Sequence, residues 1–220
     1  MKYAIFDFDG TLADSMVMWR NVGKAFLSQH GYPPLKYTKQ SSNDTWEHDF
    51  LQAVNQQLGL DITYEYFFNW FSEYVIEQYS GHIPLKPTAY DFLENLYNQG
   101  VKMCICSSTN REMMMPALQR LDLLKFFQFT CHCNEFGKEK NDSSIFFYCM
   151  EKLGASDAGE VCIFEDAFYA ANTARNAGFY TVGIYDITEH KGAEMKAVCH
   201  QYINDYTEFD FDKVTLQETI

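Results

Sequence analysis

At 220 residues the chain is long enough for one well-buried core and a smaller accessory unit, and too short for two full domains. Hydrophobic residues make up 47% of it and aromatics 17%, carried by 19 Phe, 15 Tyr and 3 Trp, which excludes a disordered chain. A formal net charge of −13 excludes general nucleic-acid binding, whose affinity comes from clustered Lys and Arg, so any anionic substrate has to be held by a few local groups.

The first predicted element is a strand over residues 3–6, Tyr3-Ala4-Ile5-Phe6, apolar enough to be covered on both faces of a parallel sheet. It runs into Asp7-Phe8-Asp9-Gly10. Side chains alternate along a strand, so Asp7 and Asp9 leave its carboxyl end on one side and Phe6 and Phe8 on the other. Two carboxylates that close repel unless a cation or a shared proton separates them. Hard oxygen ligands at this spacing favour Mg²⁺, which binds through one or two carboxylates and keeps other positions for water or phosphate oxygens. A solvated Asp-Gly turn is the bland alternative, but a turn at the end of a buried strand sits where open α/β sheets bind ligands.

Residues 16–83 carry long amphipathic stretches at 17–29, 46–58 and 64–79, broken by Gly31-Tyr32-Pro33-Pro34 and by Gly59. They predict an all-helical insertion directly after the Asp7/Asp9 turn, placed to act as a lid. Its recurrent Tyr, Phe and Trp at helical spacing read as packing core. From residue 84 onward the pattern changes to helix, short apolar strand and polar turn, which means βαβ units. Helices are expected at 89–98, capped by Gly100, and at 111–121, 145–153 and 167–177. Strands are expected at 101–106, 127–131, 161–164 and 180–184. The polar turns that follow them include Ser107-Ser108-Thr109-Asn110 and Glu165-Asp166.

Seven cysteines, an odd number lying mostly in apolar runs, suggest a reducing compartment and a cytoplasmic protein. Cys131-His132-Cys133 lacks a second Cys/His pair at zinc-site spacing. No apolar stretch approaches the ~20 residues of a membrane span, so no membrane is expected as a partner.

The segment Asp7-Phe8-Asp9-Gly10-Thr11-Leu12-Ala13-Asp14-Ser15 resembles the first signature of the haloacid dehalogenase superfamily, in the subgroup with a helical cap inserted just after it. Ser107 at the end of a core strand, a lysine within Gly137-Lys138-Glu139-Lys140, and Glu165-Asp166 follow in that family's order. The resemblance implies a doubly wound α/β core with a Rossmann-like parallel sheet over residues 1–15 and 84–220, and a helical cap over 16–83. It implies a Mg²⁺-dependent phosphatase acting on a small phosphorylated metabolite, as a monomer or weak dimer. Asp7 would be the nucleophile and Asp9 the acid and base. Ser107 would bind a phosphoryl oxygen, and a lysine would neutralise charge. Mg²⁺ would be held by Asp7, the Asp9 carbonyl, Asp166 and Glu165.

Spacing to Ile145-Phe146 favours Lys140, with Lys138 as the other candidate; the family's Lys-Pro-x-Pro-Asp is replaced by Lys140-Asn141-Asp142-Ser143-Ser144. The sugar-phosphate mutases of the subgroup carry a histidine where this chain has Trp19, which argues against mutase chemistry. The phosphonate-cleaving branch needs a cap lysine, for which Lys24, Lys36 and Lys39 have no distinguishing context. Asp9 argues against halide displacement. A phosphomutase and a non-catalytic binder of phosphorylated ligands remain as alternatives.

Overall fold

The computed structural model describes residues 1–35 and 46–215. Within these, a six-stranded, wholly parallel sheet has the order β3-β2-β1-β4-β5-β6, formed by β1 (Tyr3–Phe6), β2 (Lys102–Ser107), β3 (Thr130–His132), β4 (Val161–Glu165), β5 (Tyr180–Ile184) and β6 (Gln201–Ile203). Alternating residues feed two separate cores. Ala4 and Phe6, Met103 and Ile105, and Cys162 and Phe164 face one; Ile5, Cys104 and Cys106, and Val161 and Ile163 face the other. A strand buried on both sides has to be apolar throughout, and for that reason these segments lack the alternation of a half-exposed strand. Phe6 and Phe164, register partners on adjacent strands, stack with ring centroids 4.3 Å apart, a contact contributing roughly 0.5–1.5 kcal/mol beyond burial.

The first face is covered by α4 (Ala89–Asn98) and α5 (Arg111–Arg120); α1 (Met16–Gln29), α2 (Trp46–Leu58) and α3 (Tyr64–Gly81) pack together and join the same apolar cluster, α3 lying against α5. After the one-turn α6 (Cys133–Phe136), α7 (Ser144–Leu153) and α8 (Phe168–Asn176) cover the second face, so the sheet is doubly wound. Two further helices, α9 (Gly192–Val198) and α10 (Phe211–Thr215), complete the described chain. Helices joined by turns, with no strand, make up the described residues between Met16 and Gly81. Residues 36–45 of the expected insertion, with Lys36 and Lys39, lie outside the described residues. No helix among the described residues is long and apolar enough to cross a membrane.

The two chain crossings between α1–α3 and the rest run side by side. The Asp14 N–H donates to the Pro84 carbonyl at 2.9 Å, and the Lys86 N–H donates to the Leu12 carbonyl at 2.8 Å. Lys86 is held in turn by the buried Asp186 carboxylate, 2.6 Å from Nζ. At the end of α3, Arg120 of α5 donates to the Tyr79 carbonyl at 2.9 Å and to the Ile83 carbonyl, satisfying acceptors that a helix terminus leaves open.

Three strand expectations shift, the fourth strand ending on Glu165, one residue beyond its expected span. The third strand begins at Thr130 instead of Phe127, because Leu124–Phe126 closes a 3-10 turn and Gln128 then donates to the Met103 carbonyl at 2.8 Å. The second ends on Ser107, one residue beyond the expected span.

Candidate active site

The strand order switches at β1, with β2 on one side of it and β4 on the other, and the carboxyl ends of these strands open a crevice, the general ligand position of an open α/β sheet. Asp7 follows β1, Ser107 ends β2, and Glu165 ends β4 with Asp166 next to it. Position along the strands, rather than proximity in sequence, brings these groups together.

Asp7, Glu165 and Asp166 are 6%, 2% and 5% exposed, and one carboxylate oxygen from each lies within 4.8 Å of the others. Lys140, only 2% exposed, reaches this group from the loop before α7; its ammonium donates to Asp7 Oδ1 and, at 2.6 Å, to Glu165 Oε1. Lys138 is at the surface, paired with Asp142 at 3.1 Å. Three buried carboxylates against one ammonium leave two negative charges uncompensated. Burial, opposed by Lys140 and reinforced by Glu165 and Asp9, pushes the Asp7 carboxyl up to about 8. Asp166 is raised for the same reasons, burial first and then the charges of Asp7 and Glu165. Lys140 is raised despite its burial, because Asp7 and Glu165 both favour its charged form. The excess charge of −2, the hard oxygen donors and their mutual distances fit a divalent cation of the Mg²⁺ type.

Gly10 makes the close packing possible. Its φ of +77° belongs to the left-handed region, and a Cβ there would overlap the Asp166 carboxylate and come within 2.8 Å of the Met16 side chain. Gly10→Ala is expected to cost about 1–3 kcal/mol through backbone strain and displacement of Asp166, read as a lowered midpoint in chemical denaturation.

Asp9 faces the helical side. Its Oδ1 accepts from Ser15 Oγ at 2.5 Å, from Trp19 Nε1 at 3.0 Å and from the Tyr79 hydroxyl, while Oδ2 accepts from Thr109 Oγ1 at 2.7 Å. The Trp19 N–H is shared with the Tyr79 oxygen at 3.1 Å. Burial, with the Asp9 charge added, keeps the Tyr79 hydroxyl protonated by raising it well above its ordinary value. Tyr79 is thus a core residue, as the aromatic periodicity predicts, and also a donor to Asp9. Trp19 stood out in sequence only as the position where the mutases carry histidine; its contact with Asp9 did not.

Ser107, 1% exposed, accepts the Thr109 N–H at 3.0 Å, and Asn110 rather than Ser107 stands at the start of α5. Together with Asp7, Asp9, Lys140 and Asp166 it lines a cavity that extends to Lys24 and Phe71 on α1 and α3. Lys24 itself donates to Asn21 Oδ1 at 3.2 Å. Arg20 of α1 donates to the Thr188 carbonyl and contacts His190 Nε2 at 3.1 Å, tying α1 to the loop after β5.

The fold and a carboxylate cluster at its switch point define a doubly wound α/β protein with a candidate cation-binding site. A profile of the haloacid dehalogenase-like hydrolase family matches residues 4–184, and the chain belongs to that family. A phosphorylated carbohydrates phosphatase of Thermotoga maritima is 24% identical over 178 residues, 81% of this chain and 82% of that protein. A phosphoglycolate phosphatase of Agrobacterium fabrum is 23% identical over 193 residues, covering 82% and 79%. Among solved structures, a family IA, variant 3 hydrolase of Entamoeba histolytica superposes with a TM-score of 0.77 over 99% of both chains, at 19% identity, and shares the fold.

Proposed function

We propose that this protein is a Mg²⁺-dependent phosphatase that hydrolyses a small phosphorylated metabolite by way of a phosphorylated Asp7. The observation that carries the reading is the buried set Asp7, Glu165 and Asp166 with Lys140 on it, since a fold needs no such concentration of buried charge for stability. Asp7, Asp166 and Glu165 would hold the cation, with the Asp9 carbonyl. Bound there, Mg²⁺ supplies charge that screens the carboxylates from an incoming phosphate ester and polarises its phosphoryl oxygens.

An Asp7 carboxylate oxygen attacks phosphorus and the ester P–O bond breaks, giving an acyl phosphate on Asp7 and an alkoxide that takes a proton from Asp9. Asp9 then accepts a proton from water as that water attacks the same phosphorus; inorganic phosphate leaves and Asp7 is restored. Lys140 offsets charge on Asp7 and on the transferring group, and Ser107 Oγ binds a phosphoryl oxygen. The helices of residues 16–83 serve as the cap that excludes water, and the cavity beneath them suits small substrates better than phosphoproteins. The named activities of the two curated relatives support a phosphorylated sugar or small acid. Seven cysteines with no disulfide among them suit a reducing cytoplasm.

The test is release of inorganic phosphate from a panel of sugar phosphates, phosphoglycolate, nucleotides and an aryl phosphate, in Mg²⁺ and in EDTA. Metal-dependent release from at least one is expected; release from none by folded protein overturns the reading. Tyr79→Phe removes one donor from Asp9 and keeps the ring packed on Phe8, 5.9 Å between centroids. Its expected effect is a fall in kcat of roughly tenfold, about 1.4 kcal/mol, with KM unchanged, measured on the best substrate of that panel.

A further inference from the structure

Four thiols that the proposed reaction does not use lie together on the sheet face covered by α7 and α8. Cys106 of β2 and Cys131 of β3 are direct register partners on neighbouring strands, and Cys149 of α7 packs over them. Their sulfurs all lie within 4.8 Å of one another, at 1%, 5% and 0% exposure. Cys104, two residues before Cys106 on β2, faces the same core. The group sits in an apolar surround that includes Ile5, Ile145 and Phe146. Cys133, by contrast, turns its sulfur to Ser108 Oγ at 3.5 Å, and both ring nitrogens of His132 are taken by Thr109 and Thr130, so the Cys131-His132-Cys133 tripeptide supplies one member only.

We propose that Cys106, Cys131 and Cys149 form a site for a soft d¹⁰ cation, Zn²⁺ or Cu⁺, with Cys104 on the same face of β2 as the candidate for a fourth sulfur. Three observations support it. A Zn–S bond of about 2.3 Å places tetrahedral sulfurs roughly 3.8 Å apart, so the thiols need close by about 1 Å or less, a side-chain adjustment. The donors are soft where those of the active site are hard, so a thiophilic cation and Mg²⁺ sort to different ends of the core without competing. The ligands also come from three separate elements, and β3 is a three-residue edge strand with a single sheet neighbour; a cation here would fasten that edge to β2 and α7. Each cysteine that ligates gives up its thiol proton to solvent as the metal–sulfur bond forms, so binding weakens as pH falls.

The experiment uses the full chain, reduced, with Mg²⁺ in excess to occupy the carboxylates. Cd²⁺ serves as the spectroscopic probe for Zn²⁺, added both to native protein and during refolding, since buried sulfurs load most readily in an open state. The expected result is a thiolate-to-metal charge-transfer band that saturates at one equivalent per chain, with a raised Tm. Cys131→Ser and Cys149→Ser lose the band and Cys199→Ser, outside the cluster, retains it. Zn²⁺ displaces Cd²⁺ in one arm; in the other, Cu⁺ is drawn from a chromogenic chelator if the site takes only three sulfurs. Should the serine variants fail to fold, the unmodified protein alone decides the matter. Absence of a saturable band on refolding together with no Cu⁺ uptake overturns the proposal, as does a band that persists in both folded serine variants. None of these readouts depends on phosphatase activity.

Discussion

Asp7→Asn is expected to abolish phosphate release, by about 10⁴-fold or more in kcat, while leaving the protein folded. The amide keeps the shape of the side chain and loses the nucleophile, and no neighbouring carboxylate can substitute, because Glu165 is already engaged by Lys140 and by the Ala167 N–H at 3.2 Å. The same substitution should flatten a pH dependence of stability. In metal-free protein the Asp7 carboxyl is raised to about 8 by burial and by the charges of Glu165 and Asp9. Between pH ~4 and pH ~8 the native state therefore binds a proton that the unfolded chain has lost, so the stability contribution is fully present below pH ~4 and falls as pH rises towards 8. Unfolding in EDTA across this window should show that decline in the natural protein and a flatter profile in Asp7→Asn. Mg²⁺ should remove most of the difference, because a bound cation takes the place of the proton. Turnover retained in Asp7→Asn would dismiss Asp7 as nucleophile, and a pH profile rising from 4 to 8 in EDTA would contradict the charge balance drawn for the cluster.

The sheet was legible in sequence because its central strands are buried on both faces and leave continuous apolar runs, and because the helices between them keep a 3.6-residue stripe. β6 was not: Gln201 and Tyr202 break any apolar run, and Gln201 is secured by side-chain bonds to the Tyr180 hydroxyl at 3.0 Å and the Asp210 carbonyl at 2.9 Å that no periodicity reveals. At the candidate site, Asp7 and Asp9 stood out because a carboxylate pair ending an apolar strand is costly without a function. Glu165 and Asp166 drew notice through their place after β4. Tyr79 and Thr109 escaped notice for opposite reasons. Tyr79 fits the buried stripe Phe67, Phe71, Val75 of α3 so well that its hydroxyl goes unseen, and Thr109 belongs to a polar turn in which any residue could face solvent. Both reach Asp9 across more than 65 residues of sequence, a separation that only the packing of α3 on α5 and the ladder from β1 to β2 closes.

Lysine identity is the point at which sequence left two candidates and geometry separates them, and Lys140→Met tests it with the second large effect. Met retains most of the aliphatic stem and removes only the charge. In metal-free protein the loss leaves Asp7, Glu165 and Asp166 with no cation among them, and deleting one partner of a buried pair costs about 3–5 kcal/mol. Mg²⁺ should recover part of that stability, since it compensates the same carboxylates. It should not recover turnover if, as proposed, Lys140 also meets charge on the transferring phosphoryl group, since removing an electrostatic stabiliser of this kind costs about 10²–10³ in kcat, roughly 2.7–4 kcal/mol. Lys138→Met, at a side chain 57% exposed and paired only with Asp142, should shift stability by no more than about 0.5 kcal/mol and leave kcat unchanged. Denaturant midpoints and kcat for both variants, each in EDTA and in Mg²⁺, give four comparisons. A Lys138→Met enzyme slower than Lys140→Met would transfer the role to the surface lysine. Equal rates in both would mean that the ammonium on Asp7 balances charge in the resting protein and takes no part in phosphoryl transfer, leaving that stabilisation to Mg²⁺ and the Ser107 hydroxyl.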